Sequence, residues 1–311
     1  MRRFGLILFA VLAPLAVFAA MVAADRHFGA PGQRQADMLR IDLPPASGID
    51  LPKIEGPLDA SRPLVVIDAG HGGHDPGAGA GLKEKVLTLS LARAVREQLL
   101  KDGGIRVALT RDDDRYLLLE ERAGLARRLK ADLFLSIHAD AAEGAAAGAT
   151  VYTLSSRGSS EEASRLAARE NRADSVNGVA LGTTDSAVAT ILVDLSQRQS
   201  AEQSDLFARL ILREGAGHLR FRDPPLQSAA FVVLKSADLP SVLLESGYIT
   251  NPAEAARLAS AEGRGAFARI VASAIRIYFA RQAQPAPAPA PATRPVPSGV
   301  PTGARQSSGA R

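Results

Sequence analysis

Cysteine is absent from all 311 residues. That excludes disulfides, thiolate metal ligands and a lipid-modified cysteine, so any chemistry must rest on histidine, carboxylates and hydroxyls. No repeat of about 20–50 residues is visible, which removes solenoids and propellers. No G-x-x-x-x-G-K-[ST] phosphate loop occurs, and Gly77-x-Gly79-x-Gly81 lacks the dinucleotide-loop spacing. Ser246 has no G-x-S-x-G elbow around it, so a serine nucleophile is unsupported. A basic patch is missing as well, despite a pI near 9.6. The formal net charge is +4, but Arg2 and Arg3 belong to the leading segment and Arg294, Arg305 and Arg311 to the tail. The remainder sits near −1, which argues against nucleic acid as a partner.

Hydrophobic residues make up 46% of the chain, charged ones 23% and aromatics 5%, an ordinary globular balance once the ends are set aside. Residues 1–24 carry Arg2 and Arg3, an apolar run and then small residues from Ala19 to Ala24. That order predicts a cleaved secretory signal, with a retained membrane anchor as the alternative, and an exported body in either case. Residues 25–60 read as a linker, and the Pro/Ala-rich residues 285–311 as a disordered tail. Residues 61–284 remain, enough for one sizeable core.

Leu64–Asp68 is a β-branched run suited to a central strand, followed by a glycine-rich loop. Apolar residues at 87, 91, 95 and 99 predict an amphipathic helix over 86–100. Further strands are predicted over 105–110, 133–138, 150–154, 231–234 and 241–245, and helices over 117–129, 161–173, 202–213 and 265–281. The alternation predicts a single α/β domain with a mostly parallel mixed sheet of about six strands flanked by helices. In such sheets chemistry gathers at the carboxyl ends of strands.

Three strands end in polar residues: Asp68-Ala69-Gly70-His71, Ser136-Ile137-His138-Ala139-Asp140 and Leu243-Leu244-Glu245-Ser246. A single histidine at a strand end is more often structural than a ligand. Two of the five histidines at equivalent ends, with a carboxylate at a third, point instead to a metal site. Zinc takes imidazole and carboxylate when thiolate is absent. Glu84 is the best sequence candidate for a third ligand, although between Lys83 and Lys85 it reads, taken alone, as a surface charge. Glu245 closes an apolar strand, where a carboxylate suits a general base that later acts as an acid. His27, His74 and His218 have no evident partner, and Arg111 with Asp112-Asp113-Asp114 reads as a solvated turn.

Together the motifs Asp68-x-Gly70-His71-Gly72-Gly73-x-Asp75-Pro76-Gly77, Glu84-Lys85, Ser136-Ile137-His138-Ala139-Asp140 and Glu245-Ser246-Gly247-Tyr248-Ile249-Thr250-Asn251 resemble the zinc-dependent N-acetylmuramoyl-L-alanine amidases of bacterial cell-wall turnover. The resemblance spans Pro63–Ala280. It departs at Asp140, where most members have Asn, and at Tyr248-Ile249-Thr250-Asn251, where Phe-x-Ser/Thr-Asn is common; neither departure touches a proposed ligand. It implies one zinc held by His71, Glu84 and His138, with Glu245 as the catalytic carboxylate. The implied reaction is hydrolysis of the amide joining N-acetylmuramic acid to L-alanine in peptidoglycan, in the periplasm. Other readings of such a site are a peptidoglycan peptidase, a deacetylase or a non-catalytic wall-binding protein.

Residues 155–199 are a long excursion for a compact domain, and long insertions are often lids. The segment resembles the regulatory insertion of division-associated amidases, where a helix blocks the site until an activator protein displaces it. On that reading Glu170 fills the open metal position, with Asp174 as runner-up.

Overall fold

The structure is a computed structural model that describes residues 51–79, 81–141, 146–174, 190–236 and 238–283. The expected signal segment, most of the linker and the Pro/Ala tail lie outside the described residues. Strand β1 (Leu64–Ala69) leads through the glycine-rich loop to helix α1 (Glu84–Asp102), then β2 (Arg106–Leu109), α2 (Leu119–Arg128), β3 (Leu133–His138) and β4 (Ala149–Leu154). Helices α3 (Glu161–Glu170) and α4 (Thr190–Gly215), strands β5 (Phe221–Ala229) and β6 (Ser241–Glu245), and helices α5 (Pro252–Ala259) and α6 (Ala261–Gln282) complete the domain. Among the described residues no helix is long and apolar enough to cross a membrane.

The six strands form one sheet in the order β2-β1-β3-β6-β4-β5. Strands β1, β2, β3 and β6 run parallel, while β4 is antiparallel to β6 and parallel to β5. Both faces are covered, so β1 and β3 are buried at every position, as their near-continuous apolar sequence requires. The α1 residues Leu87, Leu91, Val95 and Leu99 pack with α4 and α6 on one face. On the other, Leu119 and Ala126 of α2 and Ala163, Leu166 and Ala167 of α3 pack with Tyr152 and Phe231.

Two expectations need correction. Residues 231–234 are not a strand: Val232–Leu234 form a short 3₁₀ turn. The sixth strand is β5, which the sequence hides because Pro224 and Pro225 interrupt it. Proline donates nothing to a ladder and is tolerated here because β5 lies at the sheet edge. The pairing with β4 jumps from Ala149↔Phe221 to Val151↔Leu226, a bulge that holds both prolines. The linker reading also stops short, because Glu55 pairs with Val107 and covers the opposite edge at β2.

Because β1, β3 and β6 are neighbours with one direction, His71, His138 and Glu245 emerge at one edge. Helix α1 must sit firmly on β1 for Glu84 to meet them. Leu91→Ala, at a fully buried position of that contact, is expected to lower the unfolding free energy by about 2–5 kcal/mol in urea titrations. A loss under about 1 kcal/mol would mean that α1 is not held by this packing.

Candidate metal centre

After β1 the Gly70 N–H still bonds the Ile137 carbonyl at 3.0 Å, and then the chain leaves the sheet. His71 turns into the left-handed region at φ 61°, a cost on the order of 1–3 kcal/mol that the surroundings must offset. Two glycines make the necessary room. A Cβ at Gly70 would stand 2.5 Å from the His138 ring, and one at Gly77 (φ 65°) would stand 2.6 Å from the His71 ring. The His71 Nδ1 lies 2.8 Å from Asp75 Oδ2, which fixes the ring and turns Nε2 inward.

Glu84 is the first residue of α1, where a carboxylate complements the helix dipole. It is only 1% exposed, against the surface reading that its lysine neighbours suggest. Its oxygens accept from the Ala78 and Ala139 N–H groups, each at 2.9 Å. One oxygen also lies 3.1 Å from His71 Nε2, and the other 3.2 Å from His138 Nδ1. Glu170, at the carboxyl end of α3, brings Oε2 to 3.4 Å from both of those nitrogens.

Among the described residues neither His71 Nε2 nor His138 Nδ1 finds a hydrogen-bond partner, though both are buried. Orphaned buried polar atoms are rare and demand a reason. Donors about 2.0–2.1 Å from a tetrahedral zinc stand about 3.3 Å from one another. The four separations, 3.1, 3.2, 3.4 and 3.4 Å, match that spacing. The ligand atoms of His71, His138 and Glu170 all fall within 4.8 Å of each other. Two imidazoles and two carboxylates with no sulfur are a donor set that suits zinc.

Glu245 ends β6 in register with His138 and is fully buried. Its Oε2 accepts the Asp140 N–H at 3.0 Å, while Oε1 has no hydrogen-bond partner among the described residues. Burial, with Asp140, Glu84 and Glu170 nearby, pushes its pKa well above the usual carboxylate range. Burial likewise raises Asp140 to about 6, although Arg169 of α3 pairs with it and pulls the other way. Burial disfavours a charged His71, yet Glu84, Asp75 and Glu170 outweigh it and hold its pKa well above the usual value. For Glu84 burial is likewise outweighed, by the two histidines, and its pKa falls well below the usual range.

Other candidates are placed elsewhere. Asp174 does not face the cluster: it accepts from the Leu119 N–H at 3.1 and 3.2 Å and from the Tyr116 hydroxyl at 2.9 Å, capping α2. Arg111 is not in a solvated turn but 1% exposed beneath the loop. His74 is exposed and stacks on Tyr116, with centroids 4.2 Å apart. Ser246 donates to the His138 carbonyl at 2.8 Å, a structural task. Asn251 caps α5, its side chain accepting from the Ala253 and Glu254 N–H groups ahead of Pro252 at the helix start. Sequence reasoning assigned no role to Asp75 or Arg122; the i,i+4 spacing of His71 and Asp75 in a tight glycine loop was the available signal for the first.

A family profile described as N-acetylmuramoyl-L-alanine amidase matches residues 65–276. The chain belongs to this family. It is 41% identical over 220 residues to the N-acetylmuramoyl-L-alanine amidase AmiA of Escherichia coli K12, covering 70% of this chain and 76% of that protein. AmiC of Neisseria meningitidis is 37% identical over 221 residues, 70% of this chain and 53% of the relative. The catalytic domain of CwlV, the amidase of Bacillus (Paenibacillus) polymyxa var. colistinus, superposes with a TM-score of 0.51 at 26% identity, covering 70% of this chain and 98% of that one. The protein is therefore a hydrolase acting on the peptidoglycan amide that gives the family its name.

A divalent ion bound through His71 Nε2 would displace any proton held there. The raised His71 pKa holds a proton to higher pH than an ordinary imidazole does, so metal affinity is expected to rise as pH climbs. Calorimetric zinc titrations in buffers of differing ionisation enthalpy should show proton release on binding that shrinks as pH rises. Binding without proton release would contradict this charge assignment.

Proposed function

We propose that the enzyme is a zinc-dependent amidase in which His71, Glu84 and His138 hold the metal, Glu245 moves the proton, and Glu170 keeps the site closed. The observation that carries this reading is the pair of hydrogen-bond-orphaned imidazole nitrogens with one Glu170 oxygen 3.4 Å from each. A zinc ion bound there supplies Lewis-acid polarisation of the scissile carbonyl and acidifies water.

The chain's own groups do the rest. Glu245 presents the unpartnered Oε1 while Oε2 stays fixed on the Asp140 N–H, an orientation suited to taking a proton from water and returning it to the alanine nitrogen. Asp140, Glu84 and Glu170 are the charges that raise the pKa of Glu245. Removing the Glu170 carboxylate takes away its charge and the block together, favouring the ionised base.

Closure is more than one contact. Arg169 pairs with Asp140, and Glu162 with Arg222, whose guanidinium also donates to the Tyr248 hydroxyl at 2.6 Å. Asn171 exchanges hydrogen bonds with the Ala230 carbonyl and the Val232 N–H, each at 2.9 Å. An activator protein would have to compensate these contacts and the burial of Leu166. Export to the periplasm through residues 1–24 and a role in septal wall splitting complete the proposal.

Removing residues 163–199 is a poor test, because it cuts into α4 and uncovers the α3 contact with the core. Glu170→Ala leaves both intact. On purified peptidoglycan it is expected to raise basal release of L-alanine amino termini at least tenfold, with the sugar strands intact. Glu245→Gln should lower that rate by about 10²–10⁴-fold while zinc content stays near one per chain. Unchanged hydrolysis in Glu170→Ala would sink the closure; cleavage at another bond would transfer the site to a peptidase or deacetylase.

A further inference from the structure

Beneath the ligand cluster lie two arginines that the proposed chemistry does not use. Arg111 follows β2 and Arg122 sits on α2; they are 1% and 2% exposed. Arg111 donates from Nε to the Ala69 carbonyl at 2.9 Å, and its Nη2 bridges the Gly70 carbonyl at 2.8 Å and the Lys85 carbonyl at 2.9 Å. Arg122 donates from Nη1 to the Ala69 carbonyl at 2.8 Å and to Asp68 Oδ1 at 3.0 Å. Its Nη2 donates to the His71 carbonyl at 2.9 Å. Three successive carbonyls, of residues 69 to 71, thus accept from guanidinium groups.

The placement follows from where the chain leaves the sheet. Backbone carbonyls that leave a ladder need new donors, and here the same donors hold a residue at positive φ. One Nη2 spans the loop that carries His71 and the helix turn that carries Glu84. Folding stability alone is a weak reason for this arrangement. Among the described residues none of the hydrogen bonds of Arg111 goes to a carboxylate; Asp68, Asp114 and Asp113 favour its charge only from a distance, and burial outweighs them. What only a guanidinium provides is a rigid planar fork that grips several carbonyls at fixed angles.

We infer that Arg111 and Arg122 are positioning residues for the metal site, a guanidinium pair that fixes the left-handed His71 backbone against the first turn of α1 and so sets the separation of the His71 and Glu84 ligand atoms. The inference rests on the reading of His71 and Glu84 as ligands. Lysine keeps the charge and loses the fork, so it separates electrostatics from positioning.

The test measures zinc affinity of the full-length chain by competition with a chromophoric chelator, beside circular dichroism and thermal unfolding of the metal-free protein. Arg111→Lys and Arg122→Lys are expected to fold and to bind zinc on the order of 10–100-fold more weakly. Their hydrolysis should recover in excess zinc. Thr88→Val removes one hydroxyl donor to the Gly70 carbonyl, at 2.9 Å, and one acceptor 3.3 Å from Arg111 Nη2, while every guanidinium-to-carbonyl bond is kept; it should weaken zinc binding roughly threefold. Folded lysine variants with wild-type zinc affinity overturn the inference. Unfolded lysine variants beside a Thr88→Val that binds zinc like the wild type overturn it too, since the arginines would then serve folding only. A wild-type chain that binds no zinc overturns the ligand assignment itself, an outcome separable from the other two.

Discussion

Burying His71, His138, Glu84, Glu170 and Glu245 in one pocket is costly unless their charges balance. Everything else in the structure serves that balance. The carboxylates of Glu84, Asp75 and Glu170 hold the His71 pKa high, and the two histidines hold that of Glu84 low. A divalent cation between the two imidazoles would neutralise Glu84 and Glu170 outright. Burial beside Asp140, Glu84 and Glu170 raises the pKa of Glu245. On this account the closed enzyme is electrostatically satisfied and chemically idle. Removing Glu170 leaves one positive charge uncompensated, and that favours ionisation of the proposed base.

The fold supplies the geometry cheaply. Three parallel strands side by side bring residues from positions 71, 138 and 245 to one edge, and the His138↔Glu245 register leaves little freedom. The remaining precision comes from the loop, where Gly70 and Gly77 make room for the imidazoles. Asp75 orients one ring, and buried guanidinium groups hold the carbonyls. The insertion reaches the same region by two routes, Glu170 at the cluster and Asp174 at the start of α2. Both positions at which the chain departs from the common family pattern, Asp140 and Tyr248, contact partners tied to α3.

Much of this was legible in the sequence because buried strands and amphipathic helices leave distinct periodicities. The bounds of β3 and β6 were read to the residue, and the face of α1 from its four-residue apolar spacing. A histidine or glutamate directly after an apolar strand stands out for the same reason. What stayed hidden depends on long-range contacts. Prolines disguised β5, whose strand character comes only from an edge position next to β4. Glu84 looked exposed because local charge says nothing about the two backbone N–H groups waiting in other loops. Arg111, beside three aspartates, looked solvated for the same reason. Helix α5 did carry a signal, Asn251 followed by Pro252, but eight residues give periodicity little to work with.

The central claim is that two imidazoles and the Glu84 carboxylate hold one zinc and that Glu170 completes its shell. X-ray absorption at the zinc edge, on the zinc-loaded wild type and on Glu170→Ala, tests it most directly. The account predicts two imidazole ligands and no sulfur in both proteins, with one oxygen ligand exchanged from carboxylate to water in the variant. An imidazole count other than two, or an identical shell in the two proteins, would contradict it.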